Sequence, residues 1–337
     1  MRAVGYKTCL PIQHAEALLD IETPAPVPGP KDLLVEIRAV SVNPVDAKVR
    51  RGVAPEAGSA KILGWDAAGV VVATGSETSL FKAGDEVFYA GALTRPGTNA
   101  EFHVVDERLV GAKPRSLNWA ESAAIPLTAI TAWEALFDRL DVKRPVSGIA
   151  PSILIIGGAG GVGSMAIQLA RQLTDLTIIA TASRPETQDW VRSLGAHHVL
   201  DHSKPLAQEI AAQGLAAPSF VFCTTQTDQH LASIVELIAP QGRLCVIDDP
   251  ATLDIMPFKR KSISVHWELM FTRSLFQTPD IQAQHALLNE VSRLVDAGAI
   301  RTTLSETLGK INAGNLKTAH ALLESGSTKG KLVLEGF

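Results

Sequence analysis

The chain has 337 residues, 46% of them hydrophobic and 20% charged, with a formal net charge of -4. That length allows two domains with separate cores, and the composition is that of a folded globular protein rather than a disordered one. The mildly acidic balance, with no run of Lys or Arg, argues against a nucleic-acid or anionic-membrane surface, and no uncharged apolar stretch approaches the ~20 residues of a bilayer span. Cys9, Cys223 and Cys245 lie far apart and form no C-x-x-C pair. Disulfides are therefore not expected, and with no apolar signal core in residues 1–7 the expected compartment is a reducing cytoplasm.

Residues 1–125 read as mostly β. Strands are expected over 33–40, after a lead-in rich in proline, and over 69–73. A third follows the Gly84-Asp85-Glu86 turn, and a fourth covers 100–105. Several short strands separated by turn residues suggest a barrel-like or sandwich domain. From Ala120 the texture changes. A helical stretch at 128–136 is followed by strand 153–156, helix 164–174, strand 177–181, helix 187–194, strand 219–222, helix 231–238 and strand 243–247. Such alternation implies right-handed βαβ units and a parallel sheet covered on both faces. After about residue 262 come 263–268, then 282–297 and 316–324, which read as helices, and 331–334, a final strand. The fold class is α/β.

Ser152-Ile153-Leu154-Ile155-Ile156 runs directly into Gly158-Ala159-Gly160-Gly161-Val162-Gly163, a G-x-G-x-x-G between a strand and an amphipathic helix. In that context the glycines allow a tight turn, close approach of backbone to a pyrophosphate, and close packing of helix on strand. The helix N-terminus offers N–H groups to the phosphates. In such units a carboxylate about 20 residues past the glycines signals NAD. Here the strand tip carries no Asp or Glu but Ser183 and Arg184, and a planar guanidinium suits a 2′-phosphate. NADPH is the expected cofactor. The alternative leaves Arg184 as an exposed loop charge and gives the 2′-hydroxyl to Glu186. His202 and Lys204 are further candidates for the phosphate pocket, or solvated loop residues.

A β domain, a nucleotide-binding domain and a short return resemble the medium-chain dehydrogenase/reductases. The resemblance runs through Gly64-Trp65-Asp66-Ala67-Ala68-Gly69, Gly84-Asp85-Glu86-Val87, Leu127-Thr128-Ala129-Ile130-Thr131-Ala132-Trp133, the glycine fingerprint and Gly330-Lys331-Leu332-Val333-Leu334. Ser41-Val42-Asn43-Pro44-Val45-Asp46 places it with the quinone-oxidoreductase branch. The resemblance implies a GroES-like β-barrel catalytic domain at 1–125 and a doubly wound Rossmann NADP-binding domain at 126–262. Residues 263–337 then return to the catalytic domain, with a segment at 267–273 that closes the substrate pocket and forms a dimer edge.

The zinc ligands of the alcohol dehydrogenases are missing at the matching positions. Asn43 stands for a Cys, Gly64-Trp65-Asp66 for a G-H-E, and Leu127 lies where a second Cys falls. Only Asp66 has a metal-donor side chain, whereas zinc takes about three N, O or S ligands plus water. The expectation is no metal and hydride transfer from NADPH to a small apolar quinone or α,β-unsaturated carbonyl, whose conjugation spreads the charge that zinc otherwise meets. An NADP-linked alcohol dehydrogenase and a non-catalytic NADPH-binding sensor are the alternatives. Asn43, Lys48, Arg50 and Trp65 are the candidate donors to the substrate oxygen, Lys48 or Arg50 pointing to solvent being the alternative, and Asp66 is expected to pair with Lys48 or Arg50. By resemblance Asn43 and Thr131 lie beside the nicotinamide, Thr224 on the ribose-pyrophosphate side, and Ile247 and Asp248 towards the nicotinamide. A homodimer is expected, with no nucleic-acid or membrane partner.

Overall fold

The apolar stretches of residues 1–112 form eight strands in the computed structural model, which describes residues 1–337. They are β1 (Arg2–Tyr6), β2 (Leu19–Glu22), β3 (Asp32–Ser41), β4 (Lys61–Ile62), β5 (Ala67–Thr74), β6 (Glu86–Tyr89), β7 (Phe102–Asp106) and β8 (Val110–Ala112). Helix α1 (Pro44–Gly52) interrupts them, and α2 (Trp119–Ala123) and α3 (Pro126–Trp133) follow. Next come β9 (Ser152–Ile156), α4 (Gly161–Leu173), β10 (Thr177–Thr181), α5 (Pro185–Ser193), β11 (His198–Leu200), α6 (Leu206–Ala212), β12 (Phe220–Cys223), α7 (Thr227–Leu237), β13 (Arg243–Val246) and β14 (Ser264–Trp267). The chain closes with α8 (Thr272–Phe276), α9 (Ala283–Asp296), β15 (Leu304–Thr307), α10 (Ala313–Glu324) and β16 (Lys331–Glu335).

Two compact units result, Met1–Ile130 with Phe271–Phe337, and Thr131–Met270. In the first, strands in the order β15-β16-β3-β5-β6-β8 form one sheet, β7 pairs with β3, and β2-β1-β4 form a smaller sheet. β16 returns antiparallel to β3, pairing Val333 with Ser41 and Leu334 with Val40, which brings the C-terminal strand beside the segment leading into α1. This is the GroES-like domain with its C-terminal return. The second unit is a parallel six-stranded sheet, β11-β10-β9-β12-β13-β14. The chain winds outward one way from β9 through β10 and β11, then the other way through β12 to β14, the doubly wound Rossmann topology. All five residues of β9 are buried, as a strand covered on both faces must be.

The division between units differs from the expected breaks at 125 and 262. It falls at Ile130, within α3, and at Met270, because β14 extends the Rossmann sheet by pairing Val246 with Trp267. The expected helix at 128–136 becomes α3 followed by a π-helical turn, Glu134–Arg139. Helix α1 carries its own start signal, Asn43 at the N-cap, Pro44 at the first position and Asp46 three residues on.

Candidate functional site

The glycine loop at the end of β9 is built by backbone. Gly157 has φ +80°, a conformation that glycine adopts without steric cost, so the turn residue lies one position before the fingerprint. Its N–H donates to Thr181 Oγ1 at 3.0 Å and that of Gly158 to Thr181 O at 3.1 Å, tying the loop to the tip of β10. A Cβ on Gly163 would lie 2.3 Å from Gly157 O, so the third glycine lets α4 rest on the turn. A Cβ on Gly160 would meet nothing closer than Gly157 O at 3.5 Å, so the second glycine is not demanded by packing. Its bareness leaves room for a close ligand, and the loop fits a dinucleotide.

The tips of neighbouring strands surround this loop. Thr224 Oγ1 donates to Ile156 O at 2.8 Å. His202 Nδ1 lies 3.0 Å from Thr181 Oγ1, so one hydroxyl joins His202 and the glycine turn. Burial holds the His202 imidazole below its usual range, with Asp201 opposing and Arg184 reinforcing it. Ser183 and Arg184 follow β10, and the exposed Arg184 guanidinium lies 3.6 Å from Glu186. Ile247 is half-buried just past β13. Asp248 differs from expectation: Oδ2 accepts the Thr227 N–H at 2.9 Å and Oδ1 accepts the Thr227 hydroxyl, so its carboxylate serves the start of α7. Burial pushes the Cys223 thiol up to about 12 and raises that of Cys245 as well, which makes both inert packing residues.

In the first unit Asn43, Asp46, Asp66 and Lys331 form a buried polar cluster, none more than 4% exposed. Lys331 Nζ lies 3.2 Å from Asp66 Oδ2 and donates to Val42 O at 2.7 Å and to Asn43 Oδ1. Asn43 Nδ2 donates to Asp66 Oδ2 at 2.8 Å, and Leu127 N–H donates to Asp66 Oδ1 at 2.8 Å. Asp46 accepts the N–H of Asn43 at 2.7 Å and that of Gly64 at 2.9 Å. Burial pushes the Asp46 carboxyl up to about 7, against its N–H donors and Lys331, and raises that of Asp66, opposed chiefly by Lys331. Burial depresses the Lys331 ammonium, opposed by Asp66 and Asp46.

This cluster corrects several expectations. Asp66 pairs with Lys331 and not with Lys48 or Arg50. Both ends of the Asn43 amide are held inside the protein, so it is not a spare donor to substrate. Trp65 is buried, its indole N–H donating to Ala92 O at 3.2 Å and its ring meeting Phe271 edge-on at 6.3 Å. Arg50 is fully buried, with its guanidinium on Leu10 O and Glu324. Lys48 alone of the five proposed catalytic side chains is exposed, on α1. Buried Thr131 lies in α3. Lys331 was missed because its partners are about 265 and 290 residues away in sequence. Its place beside the first unit's central strand appears only with the β16–β3 pairing.

A second buried acid cluster also escaped the sequence reading. Glu134, in the π-helical turn, and Glu268, just past β14, are at most 4% exposed. Arg139 Nε donates to Glu268 Oε2 at 2.8 Å, and the Glu134 carboxyl disfavours ionisation of Glu268. Burial, with Glu134 adding and Arg139 opposing, pushes the Glu268 carboxyl up to about 8.

A doubly wound sheet with a glycine loop, and a GroES-like sheet closed by the chain's own C-terminus, define a two-domain nucleotide-binding oxidoreductase. Residues 29–115 match the alcohol dehydrogenase GroES-like domain and residues 194–334 the zinc-binding dehydrogenase family. The zinc-type alcohol dehydrogenase-like protein of Staphylococcus aureus (strain MRSA252) is 37% identical over 336 residues, 99% of each chain. A Rhizobium etli CFN 42 crystal structure, named as a zinc-dependent alcohol dehydrogenase protein, is 66% identical with a TM-score of 0.98, over 100% of this chain and 98% of that one. The quinone oxidoreductase from Coxiella burnetii is 26% identical with a TM-score of 0.80, over 99% of both chains. The chain belongs to the medium-chain dehydrogenase/reductase superfamily, in its quinone-oxidoreductase-like branch.

The names of several relatives imply zinc, but the donor set does not fit it. Asn43 is held by Asp66 and Lys331, the Trp65 indole can only donate, Leu127 has no ligand atom in its side chain, and both oxygens of Asp66 already accept hydrogen bonds. No group of three His, Cys, Asp or Glu side chains is placed to hold a metal ion. No helix is long and apolar enough to cross a membrane.

Proposed function

We propose that this oxidoreductase is a zinc-independent, NADPH-dependent reductase of small apolar quinones or α,β-unsaturated carbonyls. The observation that carries this reading is the pairing of an intact glycine loop with a metal position whose side chains are tied to one another. When bound, the reduced nicotinamide supplies the hydride. Gly157–Gly163 and the N-terminus of α4 hold the pyrophosphate, and Arg184 with Ser183 holds the 2′-phosphate. His202 shares the Thr181 hydroxyl with the glycine turn. Asn43, through its fixed backbone segment, and Thr131 are the proposed nicotinamide-side residues, and Thr224 and Ile247 complete the cofactor set. Replacement of the zinc ligands by Asn43, Trp65 and Leu127 shifts the substrate class: conjugation in a quinone or enone disperses developing oxyanion charge that a simple ketone would leave for a Lewis acid.

Lys48 stands on α1 where some relatives carry a Tyr thought to donate a proton, and it is the proposed proton donor. Lys48→Met is expected to lower kcat about 10- to 100-fold with NADPH affinity unchanged; unchanged turnover removes Lys48 from the mechanism. Arg184→Ala is expected to weaken NADPH binding about tenfold or more while leaving NADH alone. Equal losses for both cofactors would assign the loop to general binding instead. The test of the whole reading is anaerobic NADPH oxidation with an ortho-quinone and an enone after chelation. Activity lost on chelation and restored by zinc overturns it, and NADP+-linked oxidation of simple alcohols favours an alcohol dehydrogenase. We also propose a homodimer through β14, the edge strand of the Rossmann sheet, where Trp267 and, just beyond it, Leu269 are half exposed.

A further inference from the structure

The two buried aspartates need a cation, and the fold supplies one from its own C-terminal strand. Asp46 and Asp66 are fully buried, and two buried carboxylates without a counter-charge are strongly unfavourable. Five N–H donors help, from Asn43 N and Nδ2, Gly64, Leu127 and Lys331. Only Lys331 brings charge, and Asp66 and Asp46 are the charged groups that act on it. The ammonium's contacts are Val42 O, Asn43 Oδ1 and Asp66 Oδ2, which match its three N–H bonds.

The segments joined by this cluster are those aligned with the zinc ligands of the metal-dependent relatives. Asn43 is one such position. Gly64 and Asp66 flank the second, at Trp65, and Leu127 N–H binds Asp66 at the third. In the metal enzymes a divalent ion draws these segments together. Here a side chain entering from β16 does so, through Asp66 and Asn43.

We infer that the Lys331 ammonium is the resident cation of this position: it balances the charge of Asp66 within the field of Asp46, fixes the Asn43 amide, and joins the three segments that a metal ion would otherwise link. The inference rests on the zinc-independent reading and adds a defined residue to it. A divalent ion cannot share the position with an ammonium already seated on Asp66. Lys331 is thus a positioning residue that acts through Asp66 and Asn43.

The experiment is thermal unfolding of the full chain as wild type, Lys331→Arg, Lys331→Met, Asp66→Asn and Lys331→Met/Asp66→Asn. Each is measured at one neutral pH with chelator and with added zinc chloride. NADPH fluorescence titration reports separately on the Rossmann unit. Chelator and zinc are expected to leave the wild-type Tm unchanged. Lys331→Met should lose about 10 °C, because it strands a buried carboxylate. Lys331→Arg should retain most of the wild-type Tm. The double variant, in which a methionine meets a neutral amide, should recover at least half of the single-variant loss, and it remains informative if Lys331→Met does not fold. A double variant as unstable as the sum of the two singles overturns the inference, since Lys331 would then act by packing alone. A zinc-dependent rise in the wild-type Tm overturns the metal-free reading itself. Unchanged Tm in Lys331→Met overturns the role of Lys331 and leaves the metal-free reading standing.

Discussion

Gly163→Ala should destabilise the Rossmann unit and loosen its hold on the cofactor, whereas Gly160→Ala should weaken cofactor binding and leave stability unchanged. A methyl group on Gly163 would sit 2.3 Å from Gly157 O and 2.8 Å from Gly158 Cα, both backbone atoms that cannot swing aside. Relief requires lifting the first turn of α4 from the glycine turn, which itself is anchored by two hydrogen bonds to Thr181. Overpacking of this kind costs about 1–3 kcal/mol even where side chains can adjust, and backbone leaves less room to adjust. The expected result is a Tm lowered by several degrees and NADPH binding weakened more than about 100-fold, since helix and loop no longer present their N–H groups together. Gly160 is the informative contrast, because its added methyl would touch only Gly157 O at an ordinary 3.5 Å. Its Tm should match wild type while NADPH affinity falls about 10- to 100-fold, because the methyl group occupies the approach to the pyrophosphate. Equal affinity in Gly160→Ala and wild type would mean that the phosphates do not lie on this loop.

Glu268→Gln is the second large effect, and its sign depends on pH. The carboxyl of Glu268 is pushed up to about 8 in the folded protein, by burial first and then by Glu134, with Arg139 opposing. The unfolded chain releases this proton near the ordinary glutamate value of about 4.3. Between those values the folded state binds more protons than the unfolded one, so stability falls as pH rises. The contribution is intact below about pH 4 and gone above about pH 8. A glutamine in that place keeps a donor towards Glu134 and an acceptor for Arg139 Nε, reproducing the protonated pair without the titration. Differential scanning calorimetry from pH 5 to pH 9 should find the two proteins alike at the acid end. The variant should be more stable by roughly 5 °C at pH 8. A variant less stable than wild type by the same amount at every pH would show an ionised Glu268 held by Arg139, with no proton between the glutamates.

That pair sits where sequence patterns are least informative. Glu134 belongs to a helical segment whose final turn is π-helical, and Glu268 follows an edge strand. Nothing in the spacing of residues 134 and 268 tells that they meet. The buried aspartates differ in this respect. Asp46 follows a local rule, as the third residue of a helix start formed by Asn43, Pro44 and Asp46, although in sequence the segment reads only as a family signature. Asp66 lay in a recognisable family segment, but its partner did not.

Local chemistry determined much of this protein from sequence alone. The unbroken apolar run of β9, the glycines after it and the helical spacing of α4 define a nucleotide-binding turn within about twenty residues, because each feature depends on near neighbours. The α/β alternation and most strand positions follow for the same reason. The replacement of metal ligands by Asn43, Trp65 and Leu127 was equally legible, being a matter of side-chain chemistry at aligned positions. Tertiary structure alone decided what those side chains do. It turned the Trp65 indole to Ala92, buried Arg50 against Glu324, set Asp248 on α7, and brought β16 beside β3 so that Lys331 reached Asp66. A buried charge takes whichever partner the packed chain brings within reach, and sequence distance places no limit on where that partner comes from.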